Sequence, residues 1–154
     1  MIHLSFSLPE SSSPWRRTWE EAKQVDPAGI AEIDLRYKHF GVNVELIVDG
    51  VEVISKRRFV TLVDLALSLS HVKRRISSGE DAAFGFTESE EVIHLCREDD
   101  LVVVTSSKRS WRVTVEPEEL ANSFSSFLRE AHSRLISEVP GLAANPAIRQ
   151  FLPE

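Results

Sequence analysis

The sequence predicts a single α+β domain, residues 1–154, in which antiparallel β-meanders pack one face against two long helices. Three observations point to this fold class. Apolar and polar residues alternate with a period of two in several short stretches, which is typical of strands buried on one face. Turn-forming residues separate these stretches at short intervals. Two longer stretches, about 61–78 and 117–138, instead place apolar residues at the spacing of an amphipathic helix.

Length and composition agree with one folded domain. The chain has 154 residues, of which 42% are apolar and 27% charged, and a chain of this kind buries enough surface to fold alone. No apolar run approaches the roughly 20 residues of a membrane-spanning helix, and the first residues lack the basic region of a signal peptide. The single cysteine cannot form an internal disulfide, which suits a reducing compartment. We therefore expect a cytoplasmic protein without membrane association.

The first half of the chain is expected to contain four strands and a short helix. Period-two alternation places the strands at 2–8, 32–38, 42–48 and 51–55, and the helix lies at 15–24. Asp49-Gly50 is a strong hairpin signal, because a type I′ turn needs positive φ at both positions. A two-residue turn there pairs Leu46 with Val53, and the strand at 32–38 then completes a three-stranded meander.

Two tryptophans lie in the predicted short helix. Trp15 and Trp19 are four residues apart, so they share one helical face, while the rest of this helix is polar. Tryptophan is common in cores and also in interface hot spots. Core packing is the favoured interpretation, and an interface role is the alternative.

The second half is expected to add four strands, which brings the total to seven or eight. Their core-facing residues are Phe84 and Phe86, Ile93 and Leu95, Val102 and Val104, and then Trp111, Val113 and Val115. Short loops pair Phe84 with Ile93 and Leu95 with Val104. The last loop pairs Val104 with Trp111. The sequence leaves open whether the two meanders form one continuous curved sheet.

The two long helices have recognisable ends. The first, about 61–78, carries basic residues in its last turns, where they oppose the negative end of the helix dipole, and Gly79 ends it. The second, about 117–138, begins with Pro117, whose missing N–H costs nothing in a first turn. Both are expected to pack their apolar stripes on the apolar sheet face.

The charge balance limits the class of partner. The net charge of −6 disfavours a general nucleic-acid binder, since such proteins gain their affinity from Lys and Arg that neutralise phosphates. Basic runs such as residues 73–75 are short. Charge of this sign attracts basic surfaces. We expect another protein with a basic surface as the partner, and no nucleic acid.

The stretch HLCREDD, residues 94–100, holds the only cysteine, two residues after a histidine. Residues i and i+2 of a strand share a face but lie roughly 6.5–7 Å apart, which is too far for a hydrogen bond between nucleophile and base. His94 and Cys96 are expected on the outer sheet face, and with Arg112 and His132 they are the candidates for a small pocket. No metal-site, phosphate-loop or cofactor-loop spacing occurs. The sequence predicts no catalytic residue, metal or cofactor.

Acidic residues are expected to gather at one end of the second meander. Alternate loops of a meander fall at the same end, so the loop after its second strand lies beside the exit of its fourth. The residues that meet there, called the acidic edge, are Glu98, Asp99, Asp100, Glu116, Glu118 and Glu119. At the opposite end, acids lie beside bases that neutralise them; these are Glu88, Glu90, Glu91, Lys108 and Arg109. The acidic edge would steer a basic partner, and a solvated rim is the alternative.

In size, charge and strand–helix order the whole chain resembles the small acidic single-domain immunity proteins of bacterial toxin systems. The resemblance involves no specific motif, so no family residue is assigned. It implies stoichiometric binding that blocks a cognate toxin, without catalysis. Two alternatives stay open: a small enzyme or ligand-binding protein with a pocket between sheet and helices, and a structural module that forms homodimers.

Overall fold

The computed structural model describes residues 1–87 and 89–150, and these form an α+β fold with two antiparallel four-stranded sheets. The strands are β1 (Ile2–Ser7), β2 (Gly41–Val48), β3 (Val51–Ile54), β4 (Phe59–Thr61), β5 (Ala82–Phe86), β6 (Ser89–Glu98), β7 (Leu101–Ser106) and β8 (Arg112–Val115). The helices are α1 (Arg17–Lys23), α2 (Glu32–Tyr37), α3 (Leu62–Ser77), α4 (Pro117–Glu138) and α5 (Pro146–Arg149). Buried residues from both sheets and from the long helices form one core cluster, so the predicted single α+β domain is confirmed.

The second sheet has the predicted order β5-β6-β7-β8. Phe84 pairs with Ile93 and Leu95 pairs with Val104, as the alternation predicted. The pairing of Val104 with Trp111 was wrong, because Val104 pairs with Val113. The connection between β7 and β8 is longer than the sequence suggested, since β8 begins only at Arg112.

The first sheet has the strand order β1-β2-β3. β4 pairs with the first residues of β2, whereas β3 pairs with its last residues. The Asp49-Gly50 turn is confirmed, and both residues have positive φ, 47° and 82°. A register shift next to Leu46 pairs this residue with Ile54, so its predicted pairing with Val53 was wrong. The two meanders form separate sheets and not one curved sheet.

The strand predicted at 32–38 was wrong, because Glu32–Tyr37 forms helix α2. The alternation of three apolar residues with charged ones also fits one short helix. Ile33 and Tyr37, four residues apart, face solvent together, and only Leu35 is buried. Arg36 Nε lies 2.8 Å from Asp64 Oδ1, which ties the charged side of α2 to α3. β1 pairs with β2 in the place predicted for 32–38.

Both predicted long helices are confirmed, with ends at residues 62 and 77 for α3 and at 117 and 138 for α4. The two helices pack against each other, α3 also contacts β4 and β5, and α4 contacts β1. Their buried stripes contribute to the same core as both sheets. Gly79, with φ of 81°, follows α3 as expected for a residue that ends a helix.

The two tryptophans have different environments. Trp19 is 1% exposed, packs edge-on against Phe40, and donates from Nε1 to the Gly41 carbonyl at 2.8 Å. Core packing is therefore confirmed for Trp19. Trp15 is half-buried and stacks on Phe59 at a centroid distance of 5.2 Å. A Cβ at Gly41 would come within 2.5 Å of Trp15 Cε3, so this glycine allows the indole to lie on β2.

A buried carboxylate joins the two sheets. Glu91 on β6 is 3% exposed and accepts hydrogen bonds from Arg58, Arg109 and Ser106. Arg109 also donates to the carbonyls of Glu52 and Val53 on β3. The predicted neutralisation at this end is confirmed for Glu91 with Arg109 at 2.8 Å and for Glu90 with Lys108 at 3.6 Å. The predicted neighbour Glu88 lies outside the described residues.

Candidate functional site

Two elements bring the acidic residues together. Asp99 and Asp100 form the two-residue turn between β6 and β7, and Asp99 adopts φ of 54°, which aspartate tolerates better than most residues. Glu116 precedes the first residue of α4 and makes no side-chain capping bond, and Glu118 lies in the first helical turn. Acids are stabilising at this positive end of the helix dipole, so the local sequence suits a helix start.

A depression of about 540 Å³ lies between the end of α3, the β6–β7 turn and the start of α4. We call it the acidic depression; its lining residues are Ile76, Ser77, Arg97, Asp100, Leu101, Glu116, Pro117, Glu118 and Ala121. Three members of the predicted acidic edge thus share one concave surface. Leu101 is 40% exposed there, so the carboxylates adjoin accessible apolar surface.

The three acids of the depression lack charged partners in the described part of the chain. Within residues 1–87 and 89–150, none of Asp100, Glu116 and Glu118 has a basic atom within the 4.0 Å of an ion pair. Arg97 supplies one positive charge to the lining, and its Nη1 is buried without a hydrogen-bond partner in this part of the chain. The lining residues therefore carry a net negative charge.

Two members of the predicted acidic edge are engaged elsewhere. Glu98 Oε2 accepts from Arg112 Nη2 at 2.8 Å, and both side chains are exposed. Glu119 Oε1 lies 3.4 Å from the Met1 ammonium group. Asp99 is exposed in the turn but does not line the depression. The structure therefore gathers half of the acidic-edge residues into one site, and two of the others, Glu98 and Glu119, have basic partners.

The alternative pocket residues do not form one cluster with the acids. His94 pairs with Thr105, which pairs with Arg112, and these three lie in one row on the exposed face of the second sheet. Cys96 is exposed on the same face. His132 lies on α4, where burial lowers its pKa. No residue of this set lines the acidic depression.

Sequence reasoning missed the basic and apolar part of the depression. Arg97 follows Ile93 and Leu95 at every second position of β6, so alternation directs its side chain to the core face, the side of α3 and α4. Ile76 and Ser77 lie at the end of α3, a stretch for which only a packed helix was predicted. The end of α3 could be placed beside the β6–β7 turn only when the packing of the helix was known.

The chain offers no recognisable metal centre in its described part. Among residues 1–87 and 89–150, no group of three or more His, Cys, Asp or Glu side chains is placed to hold a metal ion. In the same ranges, no helix is both long enough and apolar enough to cross a membrane.

No protein-family model, curated protein or solved structure matches this chain.

Proposed function

We propose that this chain is a non-catalytic protein-binding domain, an immunity-type inhibitor that neutralises a basic partner through the acidic depression. The observation that carries the proposal is the shared site of Asp100, Glu116 and Glu118, three carboxylates without ion-pair partners in the described residues. Unpaired charge at a concave surface attracts a partner of opposite charge and orients it.

The lining suggests which side chain of the partner enters. Leu101, Pro117 and Ala121 provide apolar surface next to the carboxylates. A lysine or arginine matches this pattern, because its aliphatic stem packs on apolar surface while its charged head meets carboxylates. Arginine suits the site better, since its planar guanidinium binds carboxylates with two parallel hydrogen bonds. The proposed partner therefore presents an exposed arginine within a basic surface.

The acidic depression predicts a charge-reversal phenotype. Tagged protein co-expressed with the products of the neighbouring genes is expected to co-purify with a basic partner. Replacing Asp100, Glu116 and Glu118 with lysine should slow association at low salt by about ten- to a hundredfold, because steering by opposite charge is lost. Stopped-flow or surface-based kinetics at two salt concentrations measure the effect. The difference between the proteins should shrink at high salt.

A control with the same change in charge separates the site from net charge. Glu10, Glu21 and Glu90 are exposed and lie outside the acidic depression, so their replacement with lysine should leave the association rate within about twofold of wild type. Equal loss in both triple variants would assign the effect to total charge. A wild-type chain that captures no partner, or a site variant that binds as fast at low salt, would refute the proposal.

A further inference from the structure

The outer edge of β1 has no neighbouring strand among the described residues. Within residues 1–87 and 89–150, β1 is the terminal strand of the first sheet. Its residues Ile2, Leu4 and Phe6 pack against the core but remain half-buried, whereas the core-facing residues of β2 are buried. Phe6 packs edge-on against Phe127 of α4 at a centroid distance of 5.5 Å, so the face of β1 that carries Ile2, Leu4 and Phe6 is continuous with the core. The side of β1 away from β2 is therefore open.

Main-chain groups of alternate residues point into this opening. The Asp49 N–H donates to the Met1 carbonyl at 2.9 Å, so the residues of β1 that bond to β2 are the odd-numbered ones. The even-numbered residues Ile2, Leu4 and Phe6 then direct their N–H and C=O groups away from β2. In the described part of the chain no strand pairs with these donors and acceptors, and they recur every second residue, which is the pattern that another strand satisfies.

Helix α4 forms the wall of the opening. One depression of about 330 Å³ lies along residues 2–4 of β1, and another of about 630 Å³ lies along residues 6–9. The α4 residues that line them share a small or polar character and form one stripe: Asn122, Ser123, Ser126, Glu130, Ser133, Arg134 and Ser137. The two depressions follow one another along β1, which is six residues long, and α4, and we call them together the β1–α4 groove.

A lone extended segment fits this groove better than a second copy of the chain. α4 packs over β1, the outermost strand, so two-fold pairing of β1 with its copy would place two α4 helices over adjacent strands. Adjacent strands lie about 4.8 Å apart, whereas packed helices need about 8–10 Å between their axes. An added strand without a covering helix has no such conflict.

The charges at one end of the groove indicate which side chain the bound segment carries there. Arg16 and Arg134 line the depression beside residues 6–9, with Glu130 as the one acid among its lining residues. Arg134 Nε lies 3.6 Å from Glu138 Oε1, and Arg16 Nε lies 3.9 Å from Glu20 Oε1. Arg16 Nη1 also donates to the Pro9 carbonyl at 3.4 Å, and each guanidinium group, with five N–H donors, keeps further donors for a carboxylate of the segment. An acidic side chain complements this end.

We infer that the β1–α4 groove binds an extended segment of another protein as a fifth, antiparallel strand of the first sheet, with an Asp or Glu side chain beside Arg16 and Arg134. This surface is separate from the acidic depression and extends the proposed function with a second contact. Antiparallel addition gives the better-aligned hydrogen bonds. The Ser and Asn side chains of α4 offer partners to the polar side chains of the segment.

The test uses a displayed library of random peptides of about ten residues, which is long enough for a strand. Selected peptides should carry an acidic residue near their N-terminal end. On binding, the amide protons of Ile2, Leu4 and Phe6 should exchange at least about tenfold more slowly, while those of His3 and Ser5 stay unchanged because β2 already protects them. Hydrogen exchange followed by NMR measures this alternating pattern.

Matched variants locate the binding. Ser126→Trp fills the groove and should weaken the selected peptides about tenfold or more, whereas Ser110→Trp, exposed on the β7–β8 connection, should not. Arg134→Glu should also weaken them, and Arg57→Glu, at an exposed site on the β3–β4 connection, should not. The lysine triple variant of the acidic depression should bind these peptides normally, which keeps the two proposals distinguishable.

Three results would overturn the inference. A library that yields no binder, or binders that slow exchange uniformly or at another edge, would exclude strand addition at β1. A dimer in light scattering, with Ile2, Leu4 and Phe6 protected in the free protein, would assign the groove to a second copy. Retained affinity in Ser126→Trp would place the peptides elsewhere.

Discussion

Replacing Glu91 with alanine is expected to lower the free energy of unfolding by about 3 kcal/mol. The carboxylate is 3% exposed and binds Arg58 and Arg109, and Arg109 in turn binds carbonyls of β3. Its removal leaves two guanidinium groups without their shared anion and loosens the link between the sheets. We place the loss at the low end for a broken buried pair, because both arginines reach water. Urea denaturation followed by circular dichroism measures it.

The adjacent residue is the matched control for this prediction. Glu90 pairs with Lys108 at 3.6 Å, but its side chain is 92% exposed. Surface pairs of this kind contribute little, so Glu90→Ala should change stability by less than about 0.5 kcal/mol. Similar losses in the two variants would mean that Glu91 does not join the sheets.

The same carboxylate makes stability depend on pH. Burial, the largest single influence, raises the pKa of Glu91, but the hydrogen bonds from Ser106, Arg109 and Arg58 and the positive charge of Arg109 together outweigh it, so the pKa lies below the ordinary 4.5. A lowered folded-state pKa means that the unfolded chain binds the proton more tightly. The stabilisation is therefore complete above about pH 4.5 and is lost as the pH falls through the folded-state pKa. Glu91→Ala should flatten this acid limb of the stability curve.

Replacing Trp19 with alanine should destabilise the protein by about 4 kcal/mol, since it removes a fully buried ring and leaves a cavity. The change also deletes the bond from Nε1 to the Gly41 carbonyl and the packing against Phe40. Trp15→Ala is the internal comparison, because Trp15 lies on the same stretch of chain but is half-buried. Its loss should cost about 1–2 kcal/mol. Chemical denaturation of both variants measures the contrast, and equal losses would contradict it.

The second sheet was predictable because each of its strands pairs with its neighbour in the sequence. Each strand follows the previous one after a short connection, and one face of each must be apolar, so alternation leaves one register for Leu95 with Val104. The connection before β8 escaped prediction, since Ser106 Oγ accepts from the main chain of Lys108 and Arg109 and holds a longer loop. Such side-chain turns have no hydrophobic pattern.

The first sheet was harder because its pairing is not local. Residues 32–38 satisfy a period of two, but three apolar residues are too few to exclude a short helix. Whether residues 32–38 can form a strand depends on the space beside β2. β1, from the start of the chain, occupies that space. The Arg36–Asp64 ion pair with α3 also stabilises the helix, and alternation cannot reveal it.

The sequence predicted where the acidic residues meet, but not which of them line the depression. Sheet connectivity correctly brought the β6–β7 turn next to the start of α4. Strand alternation would have placed Glu98 on the outer face with His94 and Cys96, where it meets Arg112. The contact between Glu119 and the Met1 ammonium depends on the position of β1, which the sequence did not determine.

The route of the chain through the first sheet also favours an order of assembly when the complete chain folds. The chain leaves β1 at Ser7 and returns to pair with it only at Asn43, and α4, which packs on β1, follows much later in the sequence. The second sheet needs only adjacent strands and a two-residue turn at Asp99-Asp100. Distant pairings carry the larger loop-closure cost. In pulse-labelled hydrogen exchange during refolding, we expect amides of β6 and β7 to gain protection before those of His3 and Ser5, so β1 docks after the second sheet has begun to form.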